Sequence, residues 1–199
     1  MNTLNTIMKS SNGSSLVPIE SRLLEEGKIY LEGAISDESA CLLEKELQYL
    51  LMAYPLRDID LYISTPGGST SAGFHIYDLI NGLKGSTHIH INMWARGTVA
   101  SMGAILLAGG EKGRRFVLPN TKIMIHEPLI AGGMGGSATT IQRTAESILE
   151  EKKKIVKCLA TDTNKTIEEI QTAVSFDNWM SASEACKFGI ADKVVSKIW

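Results

Sequence analysis

Stretches of strand character alternate with stretches of helical periodicity along this chain, and the alternation predicts an α/β layered fold. Two further observations agree. The 199 residues are 44% hydrophobic and 21% charged, a balance that suits one globular domain with a substantial core. Strand-like stretches also run into glycine-bearing turns that helices follow, at Pro66-Gly67-Gly68 and at Gly97-Thr98-Val99-Ala100-Ser101-Met102-Gly103-Ala104.

The elements follow in order. Met1 to Ser15 is polar and loop-like, without the basic n-region or apolar core of a signal peptide, so residues 1-15 are expected to be a flexible segment and 16-199 a single domain. Lys28 to Leu31 reads as a short strand. Ser36 and Asp37 start a helix whose apolar positions Ala40, Leu43, Leu47 and Leu50 recur every three or four residues. Ile59 to Ile63 is a second strand, Ser71 to Leu83 a helix, and Ile89 to Trp94 the strand that precedes Ser101. Arg114-Arg115 leads from a turn into another strand, and Thr121 to His126 forms a further one that stops at Pro128, because proline cannot continue a ladder.

Ser137 to Thr161 is the most regular helix, with Ile141, Ile148, Ile155 and Leu159 in one stripe and Glu146, Glu150, Glu151 and the lysines on the solvated remainder. At 1.5 Å per residue such a helix is about 37 Å long, which predicts that it projects. Glu150 and Lys154 are spaced for an ion pair. Two capping boxes follow, Thr166 with Glu169 and Ser181 with Glu184, the second helix ending at Gly189. Between them lies Ser175-Phe176-Asp177-Asn178-Trp179, a loop pinned at both sides whose aromatics are placed to shield Asp177 from water.

Composition excludes several classes of function. A formal net charge of -2 offers no global attraction for nucleic acid, and no run of apolar residues is long enough to cross a membrane. Three cysteines cannot all pair internally; Cys41, Cys158 and Cys186 each fall in helical patterns and are expected to be buried or half-buried thiols in a reducing cytosol. His88 and His90 alternate on one strand face, yet no third ligand stands at useful spacing, so no metal is expected. No loop resembles a P-loop, so this chain is not expected to hydrolyse ATP.

The candidate chemistry centres on Ser101. A serine at a strand-to-helix turn sits beside unpaired helix N–H groups and the positive end of the helix dipole, which favour negative charge near its oxygen. His126 at a strand end is a candidate base and Asp177 a candidate orienting acid. The order Ser, His, Asp differs from the chymotrypsin, subtilisin and α/β-hydrolase arrangements, and Val99 stands where a G-x-S-x-G elbow would have its first glycine.

These segments together resemble ClpP, the proteolytic subunit family of the Clp protease. The resemblance runs from about Leu16 to Val195 through Ser21-Arg22-Leu23-Leu24, Tyr62-Ile63 with Pro66-Gly67-Gly68, Ala72-Gly73 with Ile76-Tyr77-Asp78, Ala100-Ser101-Met102-Gly103-Ala104, Met124-Ile125-His126 with Pro128-Leu129, and Met180-Ser181-Ala182 with Glu184-Ala185. It implies the crotonase-like β-β-α superhelix, with the helix at about 137-161 as a handle between two heptameric rings. It implies a cytoplasmic serine endopeptidase with catalytic Ser101, His126 and Asp177, and an oxyanion hole made by the backbone N–H groups of Gly68 and Met102. Its substrates would be unfolded polypeptides inside a homo-oligomeric tetradecamer, with no metal and no cofactor, since ATP is hydrolysed by a partner AAA+ unfoldase. The segment 1-15 then serves either as a removable propeptide or as a loop facing the axial pore.

The chain also departs from the family pattern. Asp60 and Gly82 stand where family members generally place aromatics that line the unfoldase docking pocket, and Phe176 where an arginine usually pairs across the ring interface. Ile130 to Gly136 is longer and richer in glycine than usual, which predicts a mobile loop. A regulatory ring subunit that partners another ClpP, and a crotonase acting on acyl-CoA thioesters, are the alternative functions. The Ser, His and Asp set argues against both.

Overall fold

The computed structural model describes residues 4–10, 13–84, 89–130, 133 and 135–197. Among them are seven helices and nine strands, in the mixed α/β order expected from the alternation. Strands β1 (Asn5–Ser10) and β2 (Gly13–Pro18) form an antiparallel hairpin of their own, followed by helix α1 (Ile19–Glu25). This differs from the loop-like reading of residues 1-15. Asn12-Gly13 is a hairpin signal in an otherwise polar stretch, and Thr6, Met8 and Val17 offer the period of two that a ladder needs. The tip residues and Met1 to Thr3 lie outside the described residues.

The main sheet is mostly parallel. Its path runs β3 (Lys28–Glu32), β4 (Ile59–Thr65), β5 (Ile91–Ala100), β6 (Arg115–Val117) and β9 (Lys193–Val194), all parallel. Strand β5 is long enough to hold two neighbours in turn: its first half pairs with β6 and its last three residues with β7 (Lys122–Ile125), also parallel. Strand β8 (Asn178–Ser181) closes that edge antiparallel to β7. The sequence reading ends β5 at Trp94, whereas the ladder continues to Ala100 and delivers the chain directly to Ser101.

Period-two alternation divides the two faces of this sheet. Ile29, Leu31, Ile59, Leu61, Ile63, Ile91, Met93 and Val117 are buried together with Leu43, Leu47 and Leu50 of α2 (Asp37–Ala53) and with Ile76 and Ile80 of α3 (Thr70–Leu83). The helix starts are capped as read: Ser36 Oγ accepts from the Ser39 N–H, and Ser69 Oγ from the Ala72 N–H. On the opposite face Tyr30, Tyr62, Trp94 and Phe116 stand in register and stack across four strands, with centroid separations of 5.1, 6.2 and 4.5 Å. Asp60 lies on this face, where its Oδ1 accepts from Trp94 Nε1 at 2.9 Å and from Asn92 Nδ2 at 3.0 Å.

Helix α4 (Met102–Ala108) is buried throughout, so the segment that carries Ser101 is anchored on all sides. Below it Arg115, only 2% exposed, is the largest of the deeply buried side chains. Its guanidinium forks onto Asp192 at 2.9 and 2.5 Å and donates to the carbonyls of Ala108 and Gly189. Burial alone would raise the Asp192 carboxyl, but the Arg115 hydrogen bonds and charge, with the N–H groups of Arg115 and Gly113, hold it below its ordinary value.

Helix α5 (Ala138–Thr163) has 26 residues, about 39 Å at 1.5 Å per residue. Its buried positions begin only at Ile155, so none of its first three turns contributes to the core, as expected of a helix that projects. Lys154 lies over the Phe74 ring at 3.6 Å rather than against Glu150. The glycine-rich loop before the helix includes Ala131, Gly132 and Met134, which lie outside the described residues, as does His88. His90 Nδ1 is 2.8 Å from Glu111.

Both later capping boxes form, at α6 (Ile167–Ala173) and α7 (Ala182–Phe188), and Gly189 closes α7 in the left-handed region. Cys158 and Cys186 are half-buried, and burial pushes both thiols up, away from nucleophilic character. Cys41 departs from its expected burial and is exposed, because it falls beside the Ala40, Leu43 and Leu47 stripe rather than on it. No helix among the described residues is long and apolar enough to cross a membrane.

Candidate active site

Parallel neighbours end at the same side of a sheet, and β5 and β7 end on Ser101 and His126. Ala100 is paired with Met124, and the Ser101 N–H donates to the Met124 carbonyl at 2.8 Å, which fixes the lateral distance between the two side chains. The chain then turns into α4 within one residue. That turn holds Ser101 at φ 54° and ψ -124°, one of two non-glycine residues with positive φ among those described. Backbone strain of this kind costs about 1–3 kcal/mol and persists where the surroundings over-determine it. Here the β5 ladder on one side and the buried α4 on the other do so.

His126 Nε2 lies 2.8 Å from Ser101 Oγ. The His126 side chain is 14% exposed, and the backbone after it is pinned by the Glu127 N–H donating to the Val174 carbonyl at 2.8 Å. In the antiparallel β7–β8 ladder Ile125 is paired with Asn178, so the residues just beyond each, His126 and Asp177, come opposite one another. Asp177 Oδ1 is 3.3 Å from His126 Nδ1. The three side chains singled out from the sequence therefore meet, and a hydroxyl proton shared with Nε2 leaves Nδ1 as the N–H that faces the carboxylate. The expected aromatic shield over Asp177 is absent in the single chain. Its side chain is 66% exposed and Phe176 is 60% exposed, because β8 is an edge strand and the loop before it faces outward.

The glycine loop lies across from the serine. Thr65 Oγ1 donates to the Gly33 carbonyl at 2.6 Å and accepts from the Gly67 N–H at 3.0 Å, a local turn that the Thr-Pro-Gly-Gly run encodes. A bridge to Ile35 uses the Gly67 carbonyl and the Ser69 N–H, which leaves the Gly68 N–H directed away from Ile35. Met102 is the first residue of α4, so its N–H has no acceptor within the helix. Gly68 lines the cleft with Ser101, and Met102 follows Ser101 directly in the chain.

The need for glycine in this loop arises within the chain rather than from an approaching substrate. A Cβ at Gly68 would lie 2.2 Å from the Ile35 oxygen, with φ at +152°. Gly67, expected at the start of the substrate-binding edge rather than beside the nucleophile candidate, is the closer neighbour of Ser101. Its Cβ would lie 2.6 Å from Ser101 Cβ and 3.1 Å from Oγ, with φ at +96°.

Ser101 and His126 open on a cleft of about 590 Å³, lined also by Gly68, Thr70, Met124, Pro128, Leu129 and Glu151. Glu151, expected on the solvated side of the long helix, lines the cleft instead, four residues before the first buried position Ile155. Lys152, one residue on, pairs with Glu127 and ties the helix to the strand end that bears His126. No sequence signal marks that pair, since its partners are 25 residues apart in different elements. Among the described residues no group of His, Cys, Asp and Glu is arranged to hold a metal ion. A model of the Clp protease family matches residues 11–198 of the chain.

Proposed function

The chain belongs to the Clp protease family, and on that premise we propose that it is the proteolytic subunit of an ATP-dependent Clp-type protease, a serine endopeptidase that cleaves unfolded polypeptides within an oligomeric chamber. The single observation that carries the reading is the 2.8 Å separation of Ser101 Oγ and His126 Nε2 with Asp177 on the far imidazole nitrogen. The mixed α/β architecture with a mostly parallel sheet is compatible with the ClpP fold. The family is one of serine peptidase hydrolases, and its members generally assemble as oligomeric rings with Clp unfoldases.

In this reading the Ser101 hydroxyl passes its proton to His126 Nε2 as Oγ bonds to the carbonyl carbon of a peptide. The carbonyl oxygen takes the electron pair of the broken π bond, and the N–H groups of Gly68 and Met102 stabilise that charge. Asp177 holds the imidazole by Nδ1 and stabilises the imidazolium. Collapse of the tetrahedral species expels the amine, which takes the proton from Nε2, and leaves an ester on Ser101. Water, deprotonated by His126, then attacks that ester and restores the hydroxyl. No metal or organic cofactor enters these steps, and ATP is consumed by a separate AAA+ partner.

An extended substrate lies along the edge from Gly67 to Ser71 and gains affinity from main-chain hydrogen bonds. The projecting turns of α5 act as the handle through which two heptameric rings of this chain meet, in the cytoplasm. The test is a fluorophosphonate probe applied to the purified protein beside Ser101→Ala, with hydrolysis of an unfolded polypeptide followed in parallel. The expected result is labelling and hydrolysis that both vanish in the variant while the fold is kept; equal labelling of the two proteins would overturn the assignment.

A further inference from the structure

We infer that Glu151 makes this site selective for a lysine or arginine side chain on the residue whose carbonyl is attacked, so that the enzyme cleaves preferentially after basic residues. The inference rests on the serine endopeptidase reading and adds its substrate class.

Charge in the cleft is the first observation. Of the residues that line it, only His126 and Glu151 are ionisable. The Glu151 carboxylate has no hydrogen bond or ion pair among the described residues, and two of the three lysines that follow it are engaged elsewhere. Lys152 pairs with Glu127, and Lys154 lies over Phe74. The cleft beside Ser101 therefore carries one half-buried carboxylate with which no described residue is paired.

Shape and polarity of the walls are the second. Met124, Pro128 and Leu129 line the same cleft as Ser101 and Glu151. A lysine or arginine matches that lining, with methylenes against the apolar walls and a cationic head at the carboxylate. A leucine entering the same space would bury Glu151 further without a partner, which costs desolvation that its own apolar burial must offset. An acidic side chain adds like-charge repulsion and is disfavoured most.

The experiment uses the assembled protein and three fluorogenic peptides that differ only in the residue before the scissile bond: arginine, leucine or glutamate. Wild type, Glu151→Gln and Glu151→Leu are compared by kcat/KM, with fluorophosphonate labelling of Ser101 and sizing of each protein alongside. Wild type is expected to prefer arginine over leucine by about tenfold, with glutamate poorest, and added salt should shrink the preference. Both variants should lower the arginine-to-leucine ratio by about the same factor. Labelled, assembled variants with an unmoved ratio, or a wild type that prefers leucine, would overturn the inference and leave the serine reading intact. Loss of labelling and of hydrolysis of every peptide in wild type would overturn the serine reading instead. A change of assembled size confined to the Glu151 variants would assign the carboxylate to a subunit contact and also overturn the inference. Should the variants not fold, arginine- and leucine-ended peptide aldehydes compete for wild-type labelling, and the same preference must appear.

Discussion

Asp177 faces His126 across an edge of the sheet, its Oδ1 3.3 Å from Nδ1 while most of the carboxylate remains open to water. An exposed hydrogen bond of this length orients an imidazole weakly, since water competes for both partners. Covering that edge with a second subunit would strengthen it. Activity per chain should therefore fall on dilution as rings dissociate, and Asp177→Asn should lower kcat by orders of magnitude at every concentration with KM less affected. Mass photometry beside a peptidase assay reads both, and a fully active monomer would contradict the expectation.

Strain at Ser101 has a measurable consequence. Alanine at this position keeps the positive φ and should change stability little, whereas Ser101→Gly relieves it and should raise stability by about 1 kcal/mol despite the extra freedom glycine brings to the unfolded chain. Urea denaturation of the two variants, neither of which keeps the hydroxyl, separates the backbone effect from the loss of that group.

Gly67→Ala and Gly68→Ala should both destabilise the fold by about 2–4 kcal/mol and differ in what remains. The Gly67 methyl meets Ser101 itself, so any folded fraction should label slowly with fluorophosphonate. The Gly68 methyl meets the Ile35 backbone and displaces the loop that carries the donor. Thermal unfolding and labelling rate, taken together, check the pair.

Glu46 supplies a pH dependence. Burial pushes its carboxyl up to about 7 from an ordinary 4.5, and its Oε2 has no hydrogen-bond partner among the described residues. A carboxyl whose native value is raised holds its proton more tightly when folded, so stability declines as pH rises from its ordinary value toward the native one. Glu46→Gln should remove that slope and be the more stable protein at and above neutral pH. Melting temperature against pH for the two proteins is the measurement, and parallel profiles would refute it.

The aromatic row of Tyr30, Tyr62, Trp94 and Phe116 meets Asp60, which is not a lone carboxylate but an acceptor for Trp94 and Asn92. Asp60→Tyr should cost about 1–2 kcal/mol by leaving those donors unpaired. Gly82→Phe meets no atom within 4 Å at its Cβ and removes a helical glycine, so it should be tolerated. In unfoldase-dependent degradation of a tagged folded protein, Gly82→Phe alone should strengthen docking. Efficient degradation by the unmodified homomeric ring would show that the pocket is built from other residues.

Much of this was legible in the sequence because it is local. Ser36, Thr166 and Ser181 announce helix starts through groups within three residues of themselves, and the small-residue run announces the turn at Ser101. What was not legible depends on pairings between distant elements. Asp177 was expected under an aromatic shield, yet the edge position of β8 decides its exposure. Glu151 read as a solvated position because helical periodicity reports a face and not what passes beside it. The hairpin over residues 5–18 was missed because its strands are polar and draw their order from each other.

The edge formed by β7 and β8 also sets an order of events during synthesis. Ser101 and His126 are joined by the parallel part of the sheet, whose strands from β3 through β7 are complete once residue 125 has been made. The third side chain arrives about fifty residues later, after a long helix that must already have formed and turned back. A chain still on the ribosome thus sets Ser101 against His126 before Asp177 can face them, and on the proposed peptidase reading it remains inert toward its neighbours until β8 is in place.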